Sequence, residues 1–145
     1  MAQSFRLPST ADPLFAQSPV GDEGLARFTK LNLLVMGDDE DVARFVTSLW
    51  PYFLTPRVVR HRGEPLRLLS ASGPAGTIVI HDVNTLTRRE QGALHRWMDA
   101  GNSQTRVVST TSQSLLPVLE TGGFDDELYY RLNVLTFDLR PPVAQ

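Results

Sequence analysis

The 145-residue sequence contains no cysteine, which excludes disulfides, thiolate nucleophiles and cysteine-ligated zinc. It has no long apolar run. The clearest one, residues 31–36, ends at Met36 and falls far short of the roughly 20 residues that cross a bilayer. The first residues, Met1-Ala2-Gln3-Ser4-Phe5-Arg6, lack the apolar stretch of a secretory signal, so a cytoplasmic location with no membrane contact is expected. Positive charge is not in excess either: 14 Lys and Arg against 16 Asp and Glu leave a net charge of −2. No overall basic field directs the chain to nucleic acid. What remains is an ordinary globular composition, 41% hydrophobic and 21% charged, enough for one core in one domain.

Residues 1–28 are rich in Ser, Pro, Gly and Asp without sustained periodicity. They read as a flexible lead-in with one docked patch at Leu14 and Phe15. Residues 29–142 form the folded core and 143–145 a tail. Within the core, apolar runs at 31–36, 57–60, 77–83, 106–110 and 133–139 have the character of buried strands. Helices are expected between them. Val42, Phe45, Val46 and Leu49 have helical spacing before Pro51; a weaker pattern through Leu66, Leu68 and Leu69 predicts a helix over 64–71. Thr87 and Glu90 have the spacing of a capping box ahead of Leu94, Trp97 and Met98, with Gly101 as the stop. Short helices follow at 114–120, with Pro117 in the first turn and Gly122-Gly123 at the end, and at 125–132. Strands that are apolar throughout and alternate with helices predict a three-layer α/β sandwich around a parallel five-stranded sheet. Ligands of such sheets bind beyond the carboxyl ends of the strands. Those ends carry Gly37-Asp38-Asp39, His81-Asp82, Thr110-Thr111-Ser112 and Arg140.

Four segments in order then resemble one family. The run from Phe124 to Val134, with Leu128-Tyr129-Tyr130-Arg131-Leu132-Asn133 at its centre, is similar to the F-R-E-D-L-Y-Y-R-L-N-V segment of sigma-54 interaction domains, the AAA+ cores of bacterial enhancer-binding transcription activators. Gly76-Thr77-Ile78-Val79-Ile80-His81-Asp82-Val83 resembles that family's G-T-L-F-L-D-E-I Walker B strand. Gln91, Leu94 and Arg96 fall where it has Q-x-x-L-x-R. The stretch from Arg106 to Ser112 resembles its R-I-I-A-A-T-N sensor strand. The resemblance covers 31–142 and is stronger in the second half. It implies a P-loop NTPase core with AAA+ strand order.

The departures from that pattern lie where ATP would be handled. A phosphate-binding loop needs glycines, so that backbone N–H groups can wrap the phosphates, together with a Lys and a Ser or Thr. Here Gly37-Asp38-Asp39-Glu40-Asp41 is about four residues short by comparison with the family and has neither. Its four carboxylates are expected to face a triphosphate, a repulsion on the order of several kcal/mol in a partly buried site. By the same resemblance, His81 stands for the Mg²⁺-holding Walker B aspartate, Asp82 for the water-activating glutamate and Ser112 for the sensor asparagine. Asp125 replaces the first of two trans-acting arginines, and Arg131 keeps the second. Residues 51–74 are too short for the sigma-contacting G-A-F-T-G-A loop, and neither the helical lid nor a DNA-reading helix-turn-helix follows Arg140-Pro141-Pro142.

These residues imply a degenerate nucleotide site formed by Gly37, Asp38, Asp39, His81, Asp82 and Ser112, with no catalytic residue, no metal and no cofactor beyond weakly held ATP and Mg²⁺. Arg131 is a candidate subunit-edge arginine. The implied function is a non-hydrolysing module of bacterial transcription control that works by protein contact, with related AAA+ subunits or a second copy as partners and no direct DNA binding. One alternative is a weak nucleotide sensor or residual ATPase using Asp82 and Arg131. Another is a receiver-like phosphoacceptor domain, with Asp82 beside Asp38-Asp39 and Thr110, and with Arg140-Pro141 in place of a Lys-Pro. His81 is read as a strand-end histidine with a local hydrogen bond, rather than as a metal ligand with Asp82 and Asp39. His61 and His95 are read as solvent-facing, and Trp50 and Trp97 as core or contact aromatics.

Overall fold

Six short parallel strands build one sheet: β1 Gln3–Arg6, β2 Leu33–Met36, β3 Arg57–Arg60, β4 Thr77–Ile80, β5 Arg106–Thr111 and β6 Leu135–Asp138. The computed structural model describes residues 3–6, 31–70, 73–100 and 104–141. The strand order is β1-β6-β2-β5-β4-β3. Counted from β2, the five strands expected from sequence stand in the order 2-3-4-1-5, the arrangement the AAA+ resemblance implies. A receiver has the order 2-1-3-4-5, with its first and third strands adjacent. Here β5 lies between β2 and β4, so the receiver-like alternative is overturned by topology.

Strand β1 falls inside the stretch expected to be a flexible lead-in. It adds to the outer edge of β6, with Gln3 opposite Leu135 and Arg6 opposite Asp138. Backbone pairing at an edge needs no side-chain periodicity, so four residues of mixed character gave no signal. Leu14 and Phe15 lie outside the described residues.

The period of two along each strand divides the core between the two faces of the sheet. Leu33 and Val35 share one face with Phe137 and with Val42, Phe45, Val46 and Leu49 of helix α1, Asp39–Leu49. Leu34, Ile78 and Ile80 share the other with Leu94, Leu128 and Leu132. Those last three come from α2, Arg88–Asp99, and α4, Asp126–Leu132; the short α3, Leu116–Glu120, precedes α4. Helix α1 begins at Asp39, three residues before Val42, the first residue of its apolar pattern. Its acidic first turn, Asp39, Glu40 and Asp41, suits the positive end of the helix dipole. The α-helix ends at Leu49, before Pro51 as expected, and Pro51 sits in the first turn of a 3₁₀ segment, Trp50–Tyr52, where its missing N–H goes unneeded.

The helix expected over 64–71 does not form across the described residues 64–70. This segment is an extended strap along α2. The Leu66 N–H donates to Glu90 Oε2 at 2.9 Å, and Trp97 Nε1–H donates to the Leu69 carbonyl at 2.8 Å. Side chains of α2 thus take the backbone groups a helix would have used, while Leu66, Leu68 and Leu69 pack on the core. The capping box is present: Thr87 Oγ1 accepts from the Glu90 N–H at 3.1 Å, and Glu90 Oε1 accepts from the Thr87 N–H at 3.0 Å. Helix α2 ends at Asp99 with Ala100 as its cap; Gly101 lies outside the described residues. Gly76, first residue of the Walker B-like strand, has a steric reason to be glycine. An added Cβ would come within 2.2 Å of the Pro56 carbonyl oxygen.

Two stability effects follow. Thr87→Ala should cost about 1 kcal/mol. Glu90→Ala should cost about 2 kcal/mol, because it also leaves the Leu66 N–H of the strap unpaired. Ser109 stands where the related strand has alanine, and its Oγ is buried without a hydrogen-bond partner. Removing it in Ser109→Ala should stabilise the fold by about 1 kcal/mol. Urea unfolding midpoints at constant slope check all three.

Candidate functional site

The carboxyl ends of β2, β4 and β5 and the first turn of α1 enclose a cleft of about 400 Å³. Of the residues expected at a degenerate nucleotide site, Gly37, Asp39, His81, Asp82 and Ser112 line it. Asp38 does not: it is exposed, and it serves α1 through its backbone carbonyl, which accepts from the Val42 N–H at 2.8 Å. The expectation that four carboxylates face a ligand is corrected accordingly. Because the helix starts at Asp39, the acidic side chains fan around its first turn, and Glu40 pairs with Arg44. Only Asp39 of the four reaches the cleft.

The connection from β2 to α1 consists of Gly37 and Asp38 alone. The Gly37 N–H donates to the Thr111 carbonyl at 3.1 Å, so the neighbouring strand already uses it. A Cβ on Gly37 would lie 3.0 Å from Cβ of Leu139. The glycine therefore permits close packing of the turn on the end of β6.

Thr110 organises the opposite wall. Its Oγ1 lies 3.2 Å from His81 Nδ1 and accepts from the Asp82 N–H at 3.2 Å. With that lone pair occupied, the hydroxyl proton is free to point at His81 Nδ1, which fits a neutral imidazole. Asp82 adopts a left-handed backbone, φ 54° and ψ 56°, a conformation Asp tolerates better than most residues. Arg60, only 4% exposed, holds that turn. Its Nη1 donates to the His81 carbonyl at 2.9 Å, to the Asp82 carbonyl at 3.4 Å and to Thr85 Oγ1 at 3.0 Å. Its Nε donates to the Glu64 carbonyl at 2.9 Å.

The ring of His81 stacks on His61, with centroids 5.4 Å apart and planes 15° from parallel. Burial, and then the neighbouring His61, lower the His81 pKa below the ordinary imidazole value, against the opposing pull of Asp82 and Asp39. The reading of His81 as a strand-end histidine with a local hydrogen bond holds. His61 is exposed as expected, yet it belongs to the cleft, as do Arg62 and Thr110. Thr110 was expected among the strand ends, whereas reading the sequence missed His61 and Arg62 as cleft residues. The signal at Thr110 was paired: it replaces a family alanine in the same chain in which His81 replaces the Walker B aspartate.

Arg131 is not among the cleft residues. It is exposed on α4 and ion-paired to Asp99 of α2. A contact between Arg131 and an Asp82 cleft therefore requires a neighbouring copy. His95 is not solvent-facing. Its side chain, 17% exposed, lies 3.5 Å from carboxylates of Asp99 and Glu127 and 3.6 Å from Asp125. Packing of α4 against α2 draws it in. Trp50 and Trp97 are partly buried against the two core clusters. Arg140 is held by both carboxylate oxygens of Asp138 at 2.9 Å.

A parallel sheet ordered 2-3-4-1-5, with helices on both faces and a cleft over the end of its first strand, defines an AAA+-type α/β core. Residues 25–142 match the sigma-54 interaction domain family, and the chain belongs to that family. Among curated relatives it is 30% identical over 77 residues to the HTH-type transcriptional regulatory protein TyrR of Salmonella typhimurium, covering 46% of this chain and 15% of that protein. The TyrR protein of Enterobacter agglomerans is 27% identical over the same length. The chain thus spans about 15% of the curated relatives it matches. Among solved structures, NtrX from Brucella abortus in complex with ATP superposes with a TM-score of 0.61 at 17% identity, over 90% of this chain and 36% of NtrX. The ADP complex gives 0.59 at 17% identity, over 81% and 34%. At that identity the likeness establishes the fold.

The lowered His81 pKa makes stability depend on pH. A histidine held neutral in the fold takes up protons more readily once unfolded. Its stabilisation is complete above the ordinary imidazole range, about pH 6.5, and declines as pH falls from there toward the folded-state value. The urea midpoint should therefore drop on acidification below that range, and His81→Gln should flatten that part of the curve.

Proposed function

We propose that this sigma-54 interaction domain works by protein contact, as a regulatory module that does not turn over ATP. The observation that carries the reading is the two-residue connection Gly37-Asp38 between β2 and α1. A phosphate cradle needs several consecutive backbone N–H groups converging on one point, and this turn is too short to supply them. Its chemistry agrees. Among the described residues no lysine lines the cleft, Asp39 and Asp82 bring negative charge to it, and His81, whose pKa burial lowers, takes the Mg²⁺-side position stacked on His61. Mg²⁺ prefers hard oxygen ligands in octahedral geometry, which an imidazole at residue 81 does not offer.

The partner class is a protein of the same regulatory machinery: sigma-54 itself, related AAA+ subunits or a second copy. The family is named for the first. The connection between β3 and β4, where relatives carry their sigma-contacting loop, is here the strap tied to Glu90 and Trp97. That favours contact with other subunits over remodelling of sigma-54.

A second reading, a weak nucleotide sensor, is favoured by the cleft itself, because Arg62 offers positive charge at its rim. Isothermal titration with ATP and Mg²⁺ separates the two. The protein-contact reading expects no saturable heat in the micromolar range, where binding requires about −8 kcal/mol. Saturable micromolar binding establishes the sensor and overturns it.

A further inference from the structure

The charge of the chain is unevenly placed. Residues 57–106 hold eight arginines and four carboxylates, net +4, whereas 31–56 and 107–141 are each net −3. The positive segment comprises β3, the strap, β4 and α2 and runs to the first residue of β5; four of its arginines, Arg67, Arg88, Arg89 and Arg96, belong to the strap and α2. Most of the negative charge belongs to other elements: the first turn of α1 and the start of α4.

On α2 the positive charge has a defined geometry. Gln91 and Leu94 face the core, and the opposite crest carries Arg89, Gly92, Ala93 and Arg96. Arg89 and Arg96 are exposed and two turns apart, about 10 Å along the axis. Arg96 folds back over Gly92: a Cβ there would lie 3.2 Å from its guanidinium nitrogen. The strap adds Arg67, exposed and positioned between Leu66, fixed to Glu90, and Leu69, fixed to Trp97. It thus lies level with the middle of the crest. Arg67, Arg89 and Arg96 form no ion pair or hydrogen bond with any described residue. Arg60, Arg131 and Arg140, by contrast, are engaged, and Arg62 lies at the cleft.

We propose that the crest of α2 and the strap form a docking surface for an acidic polypeptide segment. Three guanidinium groups with no ion pair or hydrogen bond to any described residue, beside the small side chain of Ala93, present planar forks to a partner's carboxylates. Arg89 and Arg96 match the spacing of acidic residues seven apart on a helix laid along α2. A carboxylate-bearing protein fits better than a nucleic acid. The net charge of −2 and the acidic turns on flanking elements oppose a long polyanion, while a short acidic segment ends before reaching them. The surface rests on the protein-contact reading of the domain and specifies where such contact occurs.

The test uses fluorescence anisotropy with a fluorescein-labelled, alanine-rich helical peptide of about 18 residues carrying glutamates at positions i, i+4 and i+7. A labelled DNA duplex of about 20 base pairs is titrated in parallel at about 0.15 M salt. The expected result is saturable peptide binding that weakens about tenfold when Arg89→Ser and Arg96→Ser are combined. Arg44→Ser, on the other side of the sheet, should leave it unchanged. All these residues are exposed, so an unaltered urea midpoint confirms folding. Absence of saturable peptide binding, equal loss in Arg44→Ser, or tighter binding of the duplex each overturns the proposal. The ATP titration does not involve these arginines, so the two readings fail separately.

Discussion

The buried amide of Gln91 is the contact on which the described fold most depends. The residue is 2% exposed, and its amide would be costly to bury unpaired. It is satisfied by three backbone groups, one from the turn just before α2 and two from a segment more than thirty residues away. Nε2 donates to the carbonyls of Leu86 and Gly123, each at 3.1 Å, and Oε1 accepts from the Asp125 N–H at 2.9 Å. One side chain thereby fixes the turn before α2, the glycine turn after α3 and the cap of α4. The segments of family resemblance converge there: the glutamine itself, the Walker B-like strand whose following turn ends at Leu86, and the run that begins at Phe124. Their joint retention has a structural explanation, since removing any one would leave the amide half-satisfied. That requirement is independent of nucleotide chemistry, which explains how the second half of the chain can hold to the family pattern while the cleft departs from it.

At the cleft, the substitutions form a consistent set. Histidine at residue 81 and threonine at residue 110 are partners, and the threonine hydroxyl also ties down the left-handed Asp82. Arg60, a buried cation, fastens the same turn from behind through hydrogen bonds to neutral oxygens. A guanidinium in that setting gains from several charge-assisted hydrogen bonds at once. The replacement side chains thus rebuild a rigid wall around the end of β4. They also occupy one another, which leaves fewer free donors for a ligand.

Much of this was legible in the sequence, for identifiable reasons. Strands β2, β4, β5 and β6 were readable because they are largely buried on both faces, β3, a half-buried edge strand, from its paired valines, and the capping box of α2 because two side chains at fixed spacing specify it. Strand β1 was not, because an edge strand is held by backbone bonds that leave no side-chain period. The strap at 64–70 was misread because Leu66, Leu68 and Leu69 satisfy a helical pattern as readily as an extended one. Only the acceptor on Glu90 and the donor on Trp97 decide between them, and both lie more than twenty residues away. The number of carboxylates facing the cleft was overstated for a related reason. A run of acidic residues looks like one cluster in sequence, but a helix turns each by about 100° from the last.

The edge formed by α2 and α4 shows the same inward turn of charge. By resemblance, this edge in the family presents two arginines to the next subunit. Here the first position is Asp125, whose carboxylate caps α4 by accepting from the N–H groups of Glu127 and Leu128 and also approaches His95. The second, Arg131, is paired with Asp99. The group of His95, Asp99, Asp125, Glu127 and Arg131 holds three carboxylates against one permanent cation, so the edge offers a neighbour negative potential instead of positive. The Arg131–Asp99 pair is solvent-exposed on both sides, and such pairs contribute no more than about 1 kcal/mol. Arg131 can therefore be released at little cost, whereas Asp125 is committed to its cap.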